Sequence, residues 1–308
     1  MSQSGPEVVE IQAPAKVNLF LEVLGKRDDG FHEIVTVMQA VDIFDHIRLR
    51  RHSEGVTLRC GGPASDSVPE GPENLAFKAA ERMIAEAVGR PGVEIDLTKR
   101  IPAGGGLGGG SSDAAAVLVG LNRLWDVGLP PERLEGIAAE LGSDVAFFVR
   151  GGTSLCTGRG EKIKPLASAH VLHYVVATPG FGSQTHRVYE KIRLPLTENV
   201  KNVNLLVERW SDPGVDPREI ASQLFNRLEE PACELYPGLV SLKERLTRLG
   251  CERVLISGSG SCVYGIAAQQ EAACEIAGRL SGEGDVAGVD VARSLSAGSC
   301  ERGMSTTS

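Results

Sequence analysis

The stretch that most restricts this chain is Ile101–Ala116, IPAGGGLGGGSSDAAA, in which six glycines lead directly into an apolar, periodic segment. Glycine reaches positive φ without steric cost and lets the backbone close on a ligand. A loop this rich in glycine can turn several N–H groups toward one centre and make a nest for an anion. Ala114, Val117, Leu118, Leu121, Leu124 and Trp125 fall at helical spacing, which predicts a helix over Ser112–Trp125. Its first turn adds unpaired N–H groups and the positive end of the helix dipole at the same place. A flexible linker would not sit between a strand and so amphipathic a helix. The reading is a phosphate-binding turn.

Two familiar phosphate motifs are excluded. The lysine of G-x-x-x-x-G-K-[ST] is missing. A dinucleotide fingerprint wants an acidic residue at a strand end about 20 residues on, where Asn122–Trp125 still belongs to the helix. Ser111 or Ser112 can cap the helix, contact a phosphate or help hold Mg²⁺, and the residues alone do not separate these. Asp113 suits the helix dipole, but it must point away from a phosphate or face a metal.

At 308 residues the chain is long enough for two packed domains, and 42% hydrophobic residues supply a core. A net charge of −8 argues against a nucleic-acid binder, while a nucleotide held by backbone N–H groups stays compatible with it. Seven scattered cysteines (Cys60, Cys156, Cys233, Cys251, Cys262, Cys274, Cys300) without a C-x-x-C pair fit reduced thiols. No secretory signal and no apolar run of about 20 residues is visible. The expectation is a soluble, cytoplasmic protein with no membrane partner.

Strands are predicted at Val8–Gln12, Val17–Leu24, Glu33–Ala40, His46–Arg51, Val56–Cys60 and Val93–Leu97, with a helix at Asn74–Ala87. Pro131–Leu141 reads as a Pro-started helix closed by Gly142. Strands at Gly151–Cys156 and Val171–Ala177 flank the polar stretch Gly158–Ala169, where a domain boundary is expected. Beyond it, helices are predicted at Arg218–Leu228, Leu239–Leu249 and Glu271–Leu280, and strands at Arg253–Ile256, Val263–Ile266 and Val286–Val291. This order indicates an α+β layered fold. The small, polar Ser296–Ser308 reads as a loose tail.

Three motifs in order resemble the galactokinase–homoserine kinase–mevalonate kinase–phosphomevalonate kinase superfamily, the GHMP kinases. They are Ala13-Pro14-Ala15-Lys16-Val17-Asn18-Leu19, the loop from Pro102 to Ser112, and Ile256-Ser257-Gly258-Ser259-Gly260-Ser261-Cys262-Val263. The resemblance implies an α+β, two-domain GHMP kinase fold, with a ribosomal protein S5 domain 2-like N-terminal domain (1–165) and a ferredoxin-like C-terminal domain (166–295). A flexible tail (296–308) would follow. It also implies a transferase using ATP and Mg²⁺, with ATP held by Pro102, Ala103, Gly104, Gly105, Gly106, Leu107, Gly108, Gly109, Gly110, Ser111 and Ser112.

The lengthened loop, Asp29-Gly30-Phe31-His32 and Leu141-Gly142-Ser143-Asp144-Val145-Ala146-Phe147-Phe148 narrow the likeness to one branch. That branch phosphorylates the 2-hydroxyl of a CDP-linked methylerythritol in the methylerythritol phosphate route to isoprenoids. By this resemblance Asp144 is the general base and Lys16 keeps it ionised and oriented. Asn18, Phe31, His32, Thr185, Tyr189, Gly258 and Ser259 then bind the acceptor. Read without the family, Asp144 caps a turn or works, and Lys16 is a strand-edge cation. The aromatic before the histidine is commonly Tyr in the branch; Phe31 keeps the stacking face and lacks the hydroxyl. Homoserine and mevalonate kinases are the near alternatives, and a small acceptor needs no base pocket. A non-catalytic binding member is the remaining one, and it would have no need of both Lys16 and Asp144. Oligomeric state and metal ligands are not legible.

Overall fold

A computed structural model describes residues 6–89, 91–167, 170–193, 200–282, 285–298 and 305–307. The chain runs β1 (Val8–Lys26), β2 (His32–His52), β3 (Val56–Gly61), α1 (Leu75–Glu86), β4 (Gly92–Thr98), α2 (Gly109–Leu124), α3 (Pro131–Leu141), α4 (Val145–Arg150), β5 (Thr153–Gly158) and β6 (Lys162–Leu166). It continues through β7 (His173–Pro179), α5 (Thr185–Glu190), α6 (Val200–Trp210), α7 (Pro217–Ser222), β8 (Phe225–Asn226), α8 (Glu229–Leu235), α9 (Gly238–Leu249), β9 (Arg253–Ile256), β10 (Val263–Ala267), α10 (Gln270–Leu280), β11 (Val286–Arg293) and β12 (Ser305–Thr307).

Strands β1 and β2 are each one long element where two short ones are predicted. Pro14 cannot donate to a ladder, but it sits at a register shift, Pro14 facing Phe44 and Ala15 facing Val41, so the strand passes through it. The same irregularity leaves Lys16 and Asp45 as charged residues inside the sheet, 4% and 0% exposed. The hairpin between the strands turns at Asp28–Gly30, with Arg27 N–H donating to Phe31 O at 2.8 Å and Phe31 N–H to Asp29 Oδ1 at 3.1 Å. That turn presents Phe31 and His32 at one end of the sheet.

The first sheet is ordered β12-β1-β2-β4-β3, with β5 added beside β2, β6 beside β5, and β8 beside β1. Residues of α1, α2, α3 and α4 pack on it around Ile11, Met38, Leu49 and Ile95. Helix α2 is buried along most of its length, which the alanines at its start permit. The second sheet, β11-β7-β10-β9, is wholly antiparallel. In chain order that is fourth-first-third-second, the ferredoxin-like arrangement. A shared apolar core joins the sheets, with Val17, Leu19 and Phe20 of β1 against Tyr174, Leu255 and Tyr264.

Other differences have local causes. The predicted helix Arg218–Leu228 breaks after Ser222, because Phe225 and Asn226 pair in parallel with Phe20 and Leu21 of β1. The polar Gly158–Ala169 holds β6, an exposed edge strand whose polar faces masked its period. Short α5 and α8 carried no legible signal, and the 11-residue α6 was not predicted although its apolar residues fall at helical spacing. Of the terminal segment, Ser305–Thr307 pair with Val8–Glu10. The six cysteines among the described residues are free thiols, and Cys300 lies outside them. Among the described residues no helix is long and apolar enough to cross a membrane.

Candidate active site

The glycine loop is shaped from both sides. Helix α2 starts at Gly109 after Gly108 in the left-handed region, so neither Ser111 nor Ser112 caps it, correcting the predicted start. Both serines lie in its first turn, and glycine takes the cap because φ there is +73°. From the other side the Ser257–Cys262 turn grips the loop. Ser257 Oγ donates to Gly106 O (2.9 Å), Cys262 N–H to Gly105 O (3.0 Å) and Ser261 N–H to Gly104 O (3.2 Å). Gly106 has φ +77°, and a Cβ on it would lie 2.0 Å from Ser257 O. Only glycine fits there. The third motif therefore moulds the second.

A cavity of about 350 Å³ opens over the loop, lined by Pro102 to Ser111 together with Ser67, Pro69, Asn74 and Lys99. Beneath it Lys99 Nζ bonds Asp113 Oδ2 at 2.6 Å and also Asp45, whose Oδ1 accepts Arg100 N–H and Ile101 N–H. Burial alone would lower the Lys99 ammonium, but the charges of Asp113 and Asp45 raise it. Burial, with the Asp45 charge, raises the Asp113 carboxyl against the pull of Lys99. Asp113 thus pairs with Lys99 through Oδ2, while it also lines the cavity and its buried Oδ1 has no hydrogen-bond partner. Ser111 lines the cavity, whereas the Ser112 hydroxyl is fully buried without a hydrogen-bond partner. No three His, Cys, Asp or Glu among the described residues converge on a metal position.

A second cleft, about 1010 Å³, meets this cavity at Gly106 and Gly108, which line both. At the junction stand Lys16 and Asp144. Lys16 Nζ donates to Asn18 Oδ1 (2.6 Å) and Gly106 O (2.7 Å) and lies 3.7 Å from Asp144 Oδ2. Burial pulls the Lys16 ammonium below the ordinary lysine value, and Asp144 opposes that pull. Asn18 is fixed in turn by donating to Thr36 Oγ1 at 2.9 Å. Asp144 precedes α4 but its side chain caps nothing, so the carboxylate is left for the cleft, 35% exposed.

At the far end His32 packs against Tyr189, ring centroids 4.8 Å apart and planes tilted by 33°, while Phe31 is half-exposed and lies under the Arg159 guanidinium instead. Burial, then the charge of Lys26, lowers the His32 pKa, which favours the neutral ring with one donor and one acceptor. Thr185 Oγ1 meets Ser259 Oγ at 2.9 Å, and Gly258 and Ser259 line the cleft. Every residue picked from the sequence as binding acceptor borders this cleft. Sequence reasoning missed Lys99, Asp45, Thr36 and Arg159. Of these only Arg159, framed by Gly158 and Gly160, left a readable signal, that of a charged tight turn.

Known proteins match this arrangement. Residues 74–152 fit the model for the GHMP kinases N terminal domain, and residues 215–286 that for GHMP kinases C terminal. A 4-diphosphocytidyl-2-C-methyl-D-erythritol kinase of Shouchella clausii is 42% identical over 279 residues, 88% of this chain and 90% of that one. The protein of the same name from Saccharopolyspora erythraea is 40% identical over 300 residues, 94% and 92% of the two chains. The crystal structure of a 4-(cytidine 5'-diphospho)-2C-methyl-D-erythritol kinase superposes with TM-score 0.75 at 35% identity, covering 92% of this chain and 98% of that one. A homoserine kinase from Cytophaga hutchinsonii superposes with TM-score 0.78, covering 99% of both chains. At 23% identity that likeness speaks for the fold alone.

Proposed function

Because the chain belongs to the GHMP kinases, we propose that it transfers the γ-phosphate of ATP to the 2-hydroxyl of 4-diphosphocytidyl-2-C-methyl-D-erythritol. The observation that carries this reading is the Lys16–Asp144 pair, 3.7 Å apart, at the junction of the loop cavity and the aromatic-walled cleft. The loop N–H groups of Gly104–Gly110 hold the ATP phosphates. A Mg²⁺ carried in with ATP would neutralise charge on the β- and γ-phosphates. Asp144 takes the proton of the attacking hydroxyl, and Lys16, anchored by Asn18 and Gly106, fixes the carboxylate in place. His32 and Tyr189 hold the cytosine, and Ser259 with Thr185 borders the polyol.

A homoserine or mevalonate acceptor has no use for an aromatic wall, so the His32–Tyr189 pair favours the cytidine-linked alcohol. The test is a coupled assay of ADP release with that alcohol, mevalonate and homoserine in turn. Turnover is expected with the first alone. Comparable turnover of either other acceptor, or none of the first, overturns the reading.

A further inference from the structure

Strand β1 carries Lys16 and Asn18 just ahead of an irregularity. Asn18 faces Met38 and Phe20 faces Val37, so Leu19 is an extra residue and the strand bulges there. A bulge leaves ladder groups unpaired and re-aims the side chains beside it. Two buried hydroxyls close on this one. Thr36 Oγ1 donates to Phe20 O at 2.6 Å, and Tyr264 Oη donates to Asn18 O at 2.7 Å from the other sheet. Thr36 stands on β2 between β1 and β5, opposite Leu21 and Cys156, and is 1% exposed.

The two hydroxyls differ in what they hold. A threonine hydroxyl has a single proton. Thr36 gives it to Phe20 O, a carbonyl that only accepts, so Oγ1 must itself accept from whatever else faces it. Asn18 Nδ2 donates there at 2.9 Å. That decides which way round the Asn18 amide stands, and its Oδ1 is left to accept from Lys16 Nζ at 2.6 Å. The ammonium has three protons. One goes to Asn18 and one to Gly106 O, and the third remains for Asp144, 3.7 Å away. With the amide turned over, an N–H donor would confront the ammonium, and Lys16 would lose one of its two short bonds. Tyr264 bonds the backbone of Asn18 and not its amide.

We infer that Thr36 is a positioning residue for the transfer step: it orients the Asn18 amide, which in turn orients Lys16 beside Asp144. This rests on the role proposed above for the Lys16–Asp144 pair. Three variants of the whole protein test it. Thr36→Val keeps the shape and removes the hydroxyl, Thr36→Ser keeps the hydroxyl, and Tyr264→Phe removes the other hydroxyl on the same bulge. Thr36→Val should lower kcat about tenfold, the contribution of one hydrogen bond to a charged group, with KM for ATP unchanged. Thr36→Ser should recover most of that loss. Tyr264→Phe should lose comparable stability in chemical denaturation yet keep kcat near the wild-type value. NMR titration of the Lys16 ammonium gives a readout apart from turnover. Thr36→Val should lower its pKa below that of wild type, because the charged form loses an acceptor, and Tyr264→Phe should not. Equal losses of kcat in Thr36→Val and Tyr264→Phe, no recovery in Thr36→Ser, or an unmoved Lys16 titration in Thr36→Val would each overturn the inference. If wild type turns over none of the cytidine-linked alcohol, the proposed function falls, and the Lys16 titration alone decides for or against Thr36.

Discussion

The two halves of the site are built from different material. The loop cavity is built around backbone: glycines Gly104 to Gly110, the first turn of α2, and carbonyls held by the Ser257–Cys262 turn, with Ser67, Asn74 and Lys99 also lining it. The acceptor cleft is made of side chains from distant segments, among them Lys16, His32, Asp144 and Tyr189. On the proposed reading, backbone recognises a phosphate, which every nucleotide has, and side chains recognise what differs between acceptors. A substitution in the cavity is therefore expected to act through shape, and one in the cleft through chemistry.

The sharpest break of that contrast is at Asp144. Asp144→Asn keeps size and removes the proposed base, so kcat should fall about 10³-fold, with nucleotide affinity unchanged by calorimetry. A loss of ADP binding of similar size would erase the division between cavity and cleft. Next comes Gly106→Ala, whose methyl meets Ser257 O in a left-handed backbone. It should cost about 3 kcal/mol or more of stability and weaken nucleotide binding. Gly104→Ala, also left-handed at φ +68° but with no other heavy atom nearer than 3.9 Å, should cost only about 1–2 kcal/mol. Chemical denaturation of both variants checks the order, and equal costs would remove shape as the cause.

The smallest effect belongs to His32. His32→Ala should raise KM for the CDP-linked acceptor about tenfold and leave KM for ATP alone. Its pKa is lowered by burial and by Lys26, so the ring stays neutral until pH falls below the ordinary histidine range. Acidification through that lowered value adds a proton, removes the ring's acceptor nitrogen, and should raise acceptor KM in wild type. A variant showing the same acid dependence would transfer that titration to another group.

The contrast also explains what the sequence made legible. The shape of the glycine loop could be read because its conformational demand is written in contiguous residues. Helix α3 and strand β9 were found with their bounds because flanking Pro, Gly and apolar runs punctuate them. The register shift at Pro14 could not be read, since only the partner strand shows that β1 continues through a proline. Nor could β8, where pairing with β1 overrides a helical period. In the site, Lys16 and Asp144 came from resemblance, because nothing local in either segment says that 128 positions of chain close to 3.7 Å. The His32–Tyr189 pair, and Phe31 turned to Arg159 instead, belong to tertiary structure alone.

The grip of Ser257, Ser261 and Cys262 on Gly104, Gly105 and Gly106 has a consequence for synthesis. The loop is made early, but its mould is translated some 150 residues later. A nascent chain on the ribosome can complete the moulded shape of this loop only after the segment through Cys262 has emerged. The finished loop is thus a late product of both halves coming together.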